Sequence, residues 1–241
     1  MSDLKDKVVL VTGASRGIGY QASLEAARRG AHVVAVARTV GGLEDLDDEI
    51  KALDGSATLV PLDLRDFDGI DRLGQSIFER WGRLDGLVGN AGALGVLSPL
   101  AHIDPKDFEQ TFAINVTANY RLIRSMDGPL RQSPAGRAVF LTAGASRNAR
   151  AFWGLYAASK AALEALVRSY ADEIESSNAR ANAFNPGPLR TAMLAKAFPG
   201  LEPSDVRPPS VAAGPLIDML MPGYAGNGMR LDFPTGETQR L

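Results

Sequence analysis

The stretch that decides the fold is Lys7-Val8-Val9-Leu10-Val11-Thr12-Gly13-Ala14-Ser15-Arg16-Gly17-Ile18-Gly19. Lys7–Thr12 is β-branched and apolar without alternation, the pattern of a strand buried on both faces. From Ile18 to Arg29 the pattern becomes that of a helix, and Gly30 stands where a C-cap is wanted. Between them, glycines at 13, 17 and 19 permit a tight turn and a close approach of backbone to backbone. A helix starting there aims free N–H groups and the positive end of its dipole at its ligand, which suits a pyrophosphate. Gly13, Ser15, Arg16, Gly17, Ile18 and Gly19 are therefore the candidate dinucleotide contacts of this turn.

Two other chemistries can be weighed on the same residues. A P-loop ends in Gly-Lys-Ser/Thr, and this turn has no lysine. Gly13-Ala14-Ser15-Arg16-Gly17 also matches the Gly-x-Ser-x-Gly elbow of hydrolases, which would make Ser15 a nucleophile. Only 14 residues precede Ser15, room for one strand, whereas a hydrolase sheet builds several strands before its elbow. The base of such a triad would have to be His32 or His102, the two histidines of the chain.

Outward from the turn, short apolar runs alternate with amphipathic stretches. Strands are read at His32–Ala37, Thr58–Leu62, Leu84–Val88, Arg137–Leu141 and Ala179–Phe184, with a short last one at Met229–Phe233. Helices are read at Gly42–Leu53, Phe67–Trp81 and Trp153–Ile174. Another opens on Asp104-Pro105, with Asp as N-cap and Pro in the first turn, and is expected to run past Asn115 towards Arg124. Strand–helix alternation implies right-handed βαβ units. The expected fold is a single α/β domain over 1–241, a Rossmann-like doubly wound parallel sheet with helices on both faces. Residues 188–209, with five prolines, are expected to form a substrate loop that closes as a lid.

Composition narrows the class. The chain has 241 residues, 45 % hydrophobic and 22 % charged, which suits a globular protein. A net charge of −2 offers no basic footprint for nucleic acid. The absence of cysteine excludes disulfides, thiolate metal sites and thiol nucleophiles, and is compatible with a reducing cytoplasm. His32 and His102 have no ligand spacing, so no metal is expected. The charged first residues do not read as a secretory signal and no apolar run reaches a membrane span, so a cytoplasmic protein without a membrane partner is expected.

Further motifs follow in order: Asn90-Ala91-Gly92 after the fourth strand, Asn115 in the next helix, Tyr156-Ala157-Ala158-Ser159-Lys160, and Asn185-Pro186-Gly187 with Thr191 behind it. With the glycine turn, this set resembles the short-chain dehydrogenase/reductase family over nearly the whole chain. The resemblance implies a nicotinamide-dependent oxidoreductase that interconverts a small-molecule carbonyl and an alcohol, built as a homo-oligomer, a dimer or tetramer. It implies that Asp63 contacts adenine, and that Asn90, Ala91 and Gly92 wall the cofactor pocket. Pro186, Gly187 and Thr191 join the same site, Lys160 holds the nicotinamide ribose, and Asn115 positions a water in a proton relay. Three departures stand out. Gly89 replaces the family's first Asn, Asp232-Phe233-Pro234 replaces its C-terminal Asp-Gly-Gly, and Ala143, thirteen positions before Tyr156, replaces its catalytic serine.

Tyr156 and Lys160 are four apart, hence on one helix face. An ammonium beside a phenol favours the phenolate, so the tyrosine pKa is expected to fall towards working pH and the residue to serve as acid and base. Ala143 cannot donate a hydrogen bond to a carbonyl oxygen. Ser146 is the candidate replacement, because Thr142 is adjacent on the strand and points to the opposite face. The alternative function is an NADP(H)-binding protein with weak or no catalysis. The end of the second strand, Val36-Ala37-Arg38-Thr39, carries no acid to repel a 2′-phosphate, and Arg38, with Arg16 opposite, favours NADP(H) over NAD(H).

Overall fold

The computed structural model describes residues 3–241. It contains one eight-stranded sheet: β1 Val8–Thr12, β2 His32–Ala37, β3 Ser56–Pro61, β4 Gly86–Gly89, β5 Arg137–Leu141, β6 Arg180–Asn185, β7 Met229–Asp232 and β8 Glu237–Arg240. The order across the sheet is β3-β2-β1-β4-β5-β6-β7-β8. All neighbours pair in parallel except β7 and β8. The chain leaves β1 towards β2 on one side and returns to β4 on the other, so the carboxyl ends of β1 and β4 flank a switch point where such sheets bind ligands.

The helices are α1 Gly17–Arg28, α2 Val40–Ala52, α3 Phe67–Trp81, α4 Pro105–Phe112, α5 Ala118–Gln132, α6 Gly154–Glu173, α7 Ala192–Ala197 and α8 Ala213–Asp218. Strand pleating divides the core. Val9 and Val11 pack with Leu24, Leu43 and Leu216 on one face. Val8 and Leu10 pack with Ile70, Leu122 and Leu163 on the other. Continuous burial along β1 is thus what two covered faces require. Helices α3 and α5 approach closely at Gly74, where a Cβ would lie 2.6 Å from the Ser125 carbonyl.

Three features differ from the expectation. The sheet is not wholly parallel: β8 adds an antiparallel edge through the turn after β7, with Gly236 at φ +74°. Its residues, Glu237, Thr238, Gln239 and Arg240, are polar and exposed, so no apolar alternation announces the strand. The helix from Pro105 does not run unbroken, because Ala113–Thr117 forms a π turn between α4 and α5. Helix α8, short and placed among prolines and glycines, carries too little periodicity to be read. No helix among the described residues is long and apolar enough to cross a membrane.

Candidate active site

Thr12, buried at the end of β1, ties the switch point together. Its hydroxyl donates to Val88 O (3.2 Å) and accepts from Asn90 N (3.0 Å) and Ala91 N (3.1 Å). The Asn90 amide donates to Thr12 O (2.8 Å). Asn90 therefore belongs to the frame of the glycine turn as well as to the pocket wall. Gly13 (φ +66°) and Gly17 (φ +62°) occupy the left-handed region that glycine enters without cost. A Cβ on Gly13 would also lie 2.8 Å from Asn90 Nδ2. Arg16, the N-cap residue of α1, makes no side-chain cap, so the first-turn N–H groups stay available for an anion.

A cleft of about 770 Å³ opens over this turn, and its lining brings together nearly every residue singled out in the sequence. The lining includes Gly13, Ser15, Arg16, Gly17, Ile18, Arg38, Asp63, Asn90, Ala91 and Gly92. Tyr156, Lys160, Pro186, Gly187 and Thr191 line the same cleft. Gly19 is buried behind the turn, packed against Gly13 and Asn90. Arg16 and Arg38 are exposed, and neither has an ion-pair partner among the described residues. The Arg65 guanidinium hydrogen-bonds Asp63 (2.6 Å) and holds its carboxyl below the usual range, although partial burial opposes this. Thr191 caps α7, accepting from Leu194 N (3.3 Å), and its methyl lies 3.6 Å from where a Gly17 Cβ would be. The loop after β6 thus bends back over the phosphate turn.

Tyr156 and Lys160 share the buried face of α6. Lys160 Nζ donates to Leu141 O at 2.7 Å and lies 6.0 Å from the centre of the Tyr156 ring. Burial draws Lys160 down to about 8, against the opposing attraction of Glu164. Burial pushes the Tyr156 phenol up to about 12. This corrects the expectation of a lowered phenol pKa. Lys160 spends a hydrogen bond on a main-chain carbonyl, and loss of water around the phenol sets the direction of its shift.

Asn115 sits in the π turn, a distortion that often marks functional sites. Its amide accepts from Ala93 N (2.8 Å) and donates to Ala93 O (2.8 Å) and Ser159 Oγ (2.9 Å). Here it clamps the loop after β4 onto α6. Gly92 follows from the same packing, because a Cβ there would meet Asn115 Oδ1 at 3.3 Å and Lys160 Nζ at 3.5 Å.

Ala143 lines the cleft in extended conformation (φ −153°, ψ 158°). Ser146, expected to replace the missing serine, does not reach it. Its hydroxyl lies 2.7 Å from Ala143 O and 2.6 Å from Glu164 Oε1, and accepts from Arg230 Nη1 (2.9 Å). Thr142 Oγ1 donates to the same Glu164 oxygen (2.6 Å). A largely desolvated carboxylate recruits donors within reach, and Glu164 claims both hydroxyls as well as Arg147 (3.5 Å). Arg230 completes the set, pairing with Glu164 (2.7 Å) and Asp232 (3.0 Å), while Asp232 accepts from Asn185.

Thr12, Leu94, Phe198 and the Glu164–Arg230–Asp232 cluster escape sequence reasoning. Thr12 carries a faint signal, as a hydroxyl closing an apolar strand. The others lie far apart in the chain and have none.

Comparison with known proteins agrees with this geometry. Residues 7–202 match the family described as short chain dehydrogenase. The chain is 36% identical over 210 residues to the uncharacterized oxidoreductase YciK of Escherichia coli (strain K12), covering 86% of this chain and 83% of that one. It is similar to a short chain dehydrogenase from Shigella flexneri 2a str. 301 complexed with NADP (TM-score 0.90, 34% identity, 96% of this chain and 99% of that one). It is also similar to one from Escherichia coli CFT073 complexed with NADPH (TM-score 0.90, 34% identity, 96% and 98%).

Proposed function

The chain belongs to the short-chain dehydrogenase family, and from that premise we propose that it is an NADP(H)-dependent oxidoreductase reducing a small-molecule carbonyl to an alcohol. One observation carries the reading: the Tyr156–Lys160 face of α6 opens into the same cleft as the glycine turn, whose other end holds the free Arg16 and Arg38. The cofactor half fits a dinucleotide phosphate. The turn has no Cβ at Gly13 or Gly17, the α1 N-terminus is uncapped, and two guanidiniums lack partners among the described residues. No acid closes β2 to repel a 2′-phosphate.

When bound, NADPH supplies the hydride that adds to the carbonyl carbon. Tyr156 gives its phenolic proton to the carbonyl oxygen, so alcohol and NADP⁺ result and the phenol is refilled from water. The raised pKa suits this direction, since the neutral phenol is the form that donates. Lys160, whose Nζ is anchored on Leu141 O, keeps further protons for the ribose and for the tyrosine oxygen. Asn115 holds Gly92 and Ala93 at the cleft wall.

A second reading, an NADP(H)-binding protein with weak or no catalysis, is favoured by Ala143 and by the capture of Thr142 and Ser146 by Glu164. Titration with NADPH, followed by NADPH oxidation with a panel of ketones and aldehydes, separates the two. Turnover that is lost in Tyr156→Phe supports the oxidoreductase. Tight NADPH binding with no oxidation across the panel supports the second reading.

A further inference from the structure

Beyond Tyr156 the cleft changes character. Where the cofactor half carries arginines, the far half is walled by Leu94, Ala143, Trp153, Met193, Leu194 and Phe198. These come from four separate segments. The Trp153 ring meets Tyr156 edge-on at 6.2 Å and Phe198 at 5.6 Å. Lys196 Nζ reaches Gly95 O at 3.5 Å, which brings α7 against the loop carrying Leu94. Asp63 is the one carboxylate in the lining, and it belongs to the cofactor half, paired with Arg65.

The turn before α6 is held so as to aim Trp153. Phe152 adopts φ +72°, unusual for a bulky residue, and such conformations persist only where their surroundings enforce them. Its carbonyl accepts from Ser98 N (3.1 Å), and Trp153 N donates to Arg150 O (3.1 Å). Gly154 leaves room for Leu100, whose Cδ2 would lie 2.6 Å from a Cβ there. Leu100, Phe152 and Phe198 are all exposed (68%, 56% and 46%), so apolar surface continues outward along the mouth. Clustered apolar exposure beside a cleft marks a surface that a ligand covers.

Resting on the oxidoreductase reading above, we propose that the substrate is an uncharged ketone or aldehyde whose bulky apolar body, aryl or long alkyl, packs against the joined Trp153 and Phe198 rings. Polyhydroxylated carbonyls are disfavoured because their hydroxyls lose water against the apolar side chains of Leu94, Met193, Leu194 and Phe198. Carboxylated carbonyls are disfavoured because an ion would be desolvated there.

The test uses the NADPH-bound protein and four probes: acetophenone, decanal, dihydroxyacetone and benzoylformate, the last being acetophenone with a carboxylate for its methyl. Binding is read from NADPH fluorescence and reduction from NADPH oxidation. The expected kcat/KM for acetophenone and decanal exceeds that for the polar pair by about a hundredfold. Trp153→Ala and, separately, Phe198→Ala raise KM for acetophenone about tenfold with NADPH affinity unchanged, which also reports that each variant is folded. Preference for dihydroxyacetone overturns the proposal. So does preference for benzoylformate, which would assign Arg190, also in the lining, as a carboxylate anchor. Binding of the apolar probes alone, without reduction, supports the apolar pocket and overturns the oxidoreductase reading instead. Binding of none of the four overturns the proposal.

Discussion

Arg230 and Glu164 form a largely buried ion pair, 2.7 Å between Nη1 and Oε1, and its carboxylate engages the hydroxyls of Thr142 and Ser146, the residues on either side of Ala143 and its loop. The Ser146 hydroxyl bridges the pair itself, and Thr142 donates to the same carboxylate oxygen. In the proposed reaction, Tyr156 is then the one of these three hydroxyls not engaged by Glu164.

Ala143→Ser should raise turnover at least tenfold on any ketone the protein accepts and leave NADPH affinity little changed. A preorganised donor of this kind is worth about a hundredfold to a thousandfold in rate, and part of that should be recovered by a serine at this place in the wall. Ser146→Ala should leave the chemistry standing. Steady-state kinetics of both variants check this; loss of all turnover in Ser146→Ala would show that Ser146 leaves Glu164 and serves the substrate.

Arg230→Met should destabilise the protein by about 1–3 kcal/mol, because Glu164 keeps only its longer pair with Arg147 (3.5 Å) and Asp232 loses its guanidinium partner. Urea unfolding measures the loss. A change within about 0.5 kcal/mol, the range of ordinary surface substitutions, would mean that the pair is solvated in solution.

The lowered pKa of Lys160 makes a pH prediction. Below about 8 the folded and unfolded states both carry the proton, and burial of the charge penalises folding in full. Between about 8 and 10.5 the unfolded state binds the extra proton, so stability rises with pH through that window. Relative to Lys160→Met, the cofactor-free protein should gain about 3 kcal/mol across it. Urea midpoints taken along the pH axis test this, and a flat difference would place the ammonium in water.

Arg38→Ala should weaken NADPH binding about tenfold or more and NADH binding far less, since a charge-assisted bond to the 2′-phosphate exists for one cofactor alone. Arg16→Ala should act in the same direction. Fluorescence titration decides it; NADH bound as tightly as NADPH by the unaltered protein would remove the argument.

The segment from 188 to 209 is ordered by few ties, among them Arg190 N to Arg207 O (2.9 Å) and the Thr191 cap of α7. If it closes as a lid, hydrogen exchange at 194–201 should slow with NADPH and substrate bound. Unchanged exchange in the ternary complex would identify a static surface excursion.

The sequence by itself determined the alternating architecture, the glycine turn after β1 and the pairing of Tyr156 with Lys160. Each is a local matter. Unbroken apolar runs mark strands covered on both faces, glycines mark a backbone that must tolerate φ near +60°, and a spacing of four places two side chains on one helix face. Tertiary structure alone decided three other things. The polar edge strand β8 is held by pairing with β7 and not by burial, so no hydrophobic pattern records it. The protonation of Tyr156 depends on how much water the fold excludes around it, which spacing to Lys160 does not report. The fate of Ser146 was decided by Glu164 and Arg230, 18 and 84 positions away, because a largely desolvated carboxylate and guanidinium draw a hydroxyl within reach into their hydrogen bonding.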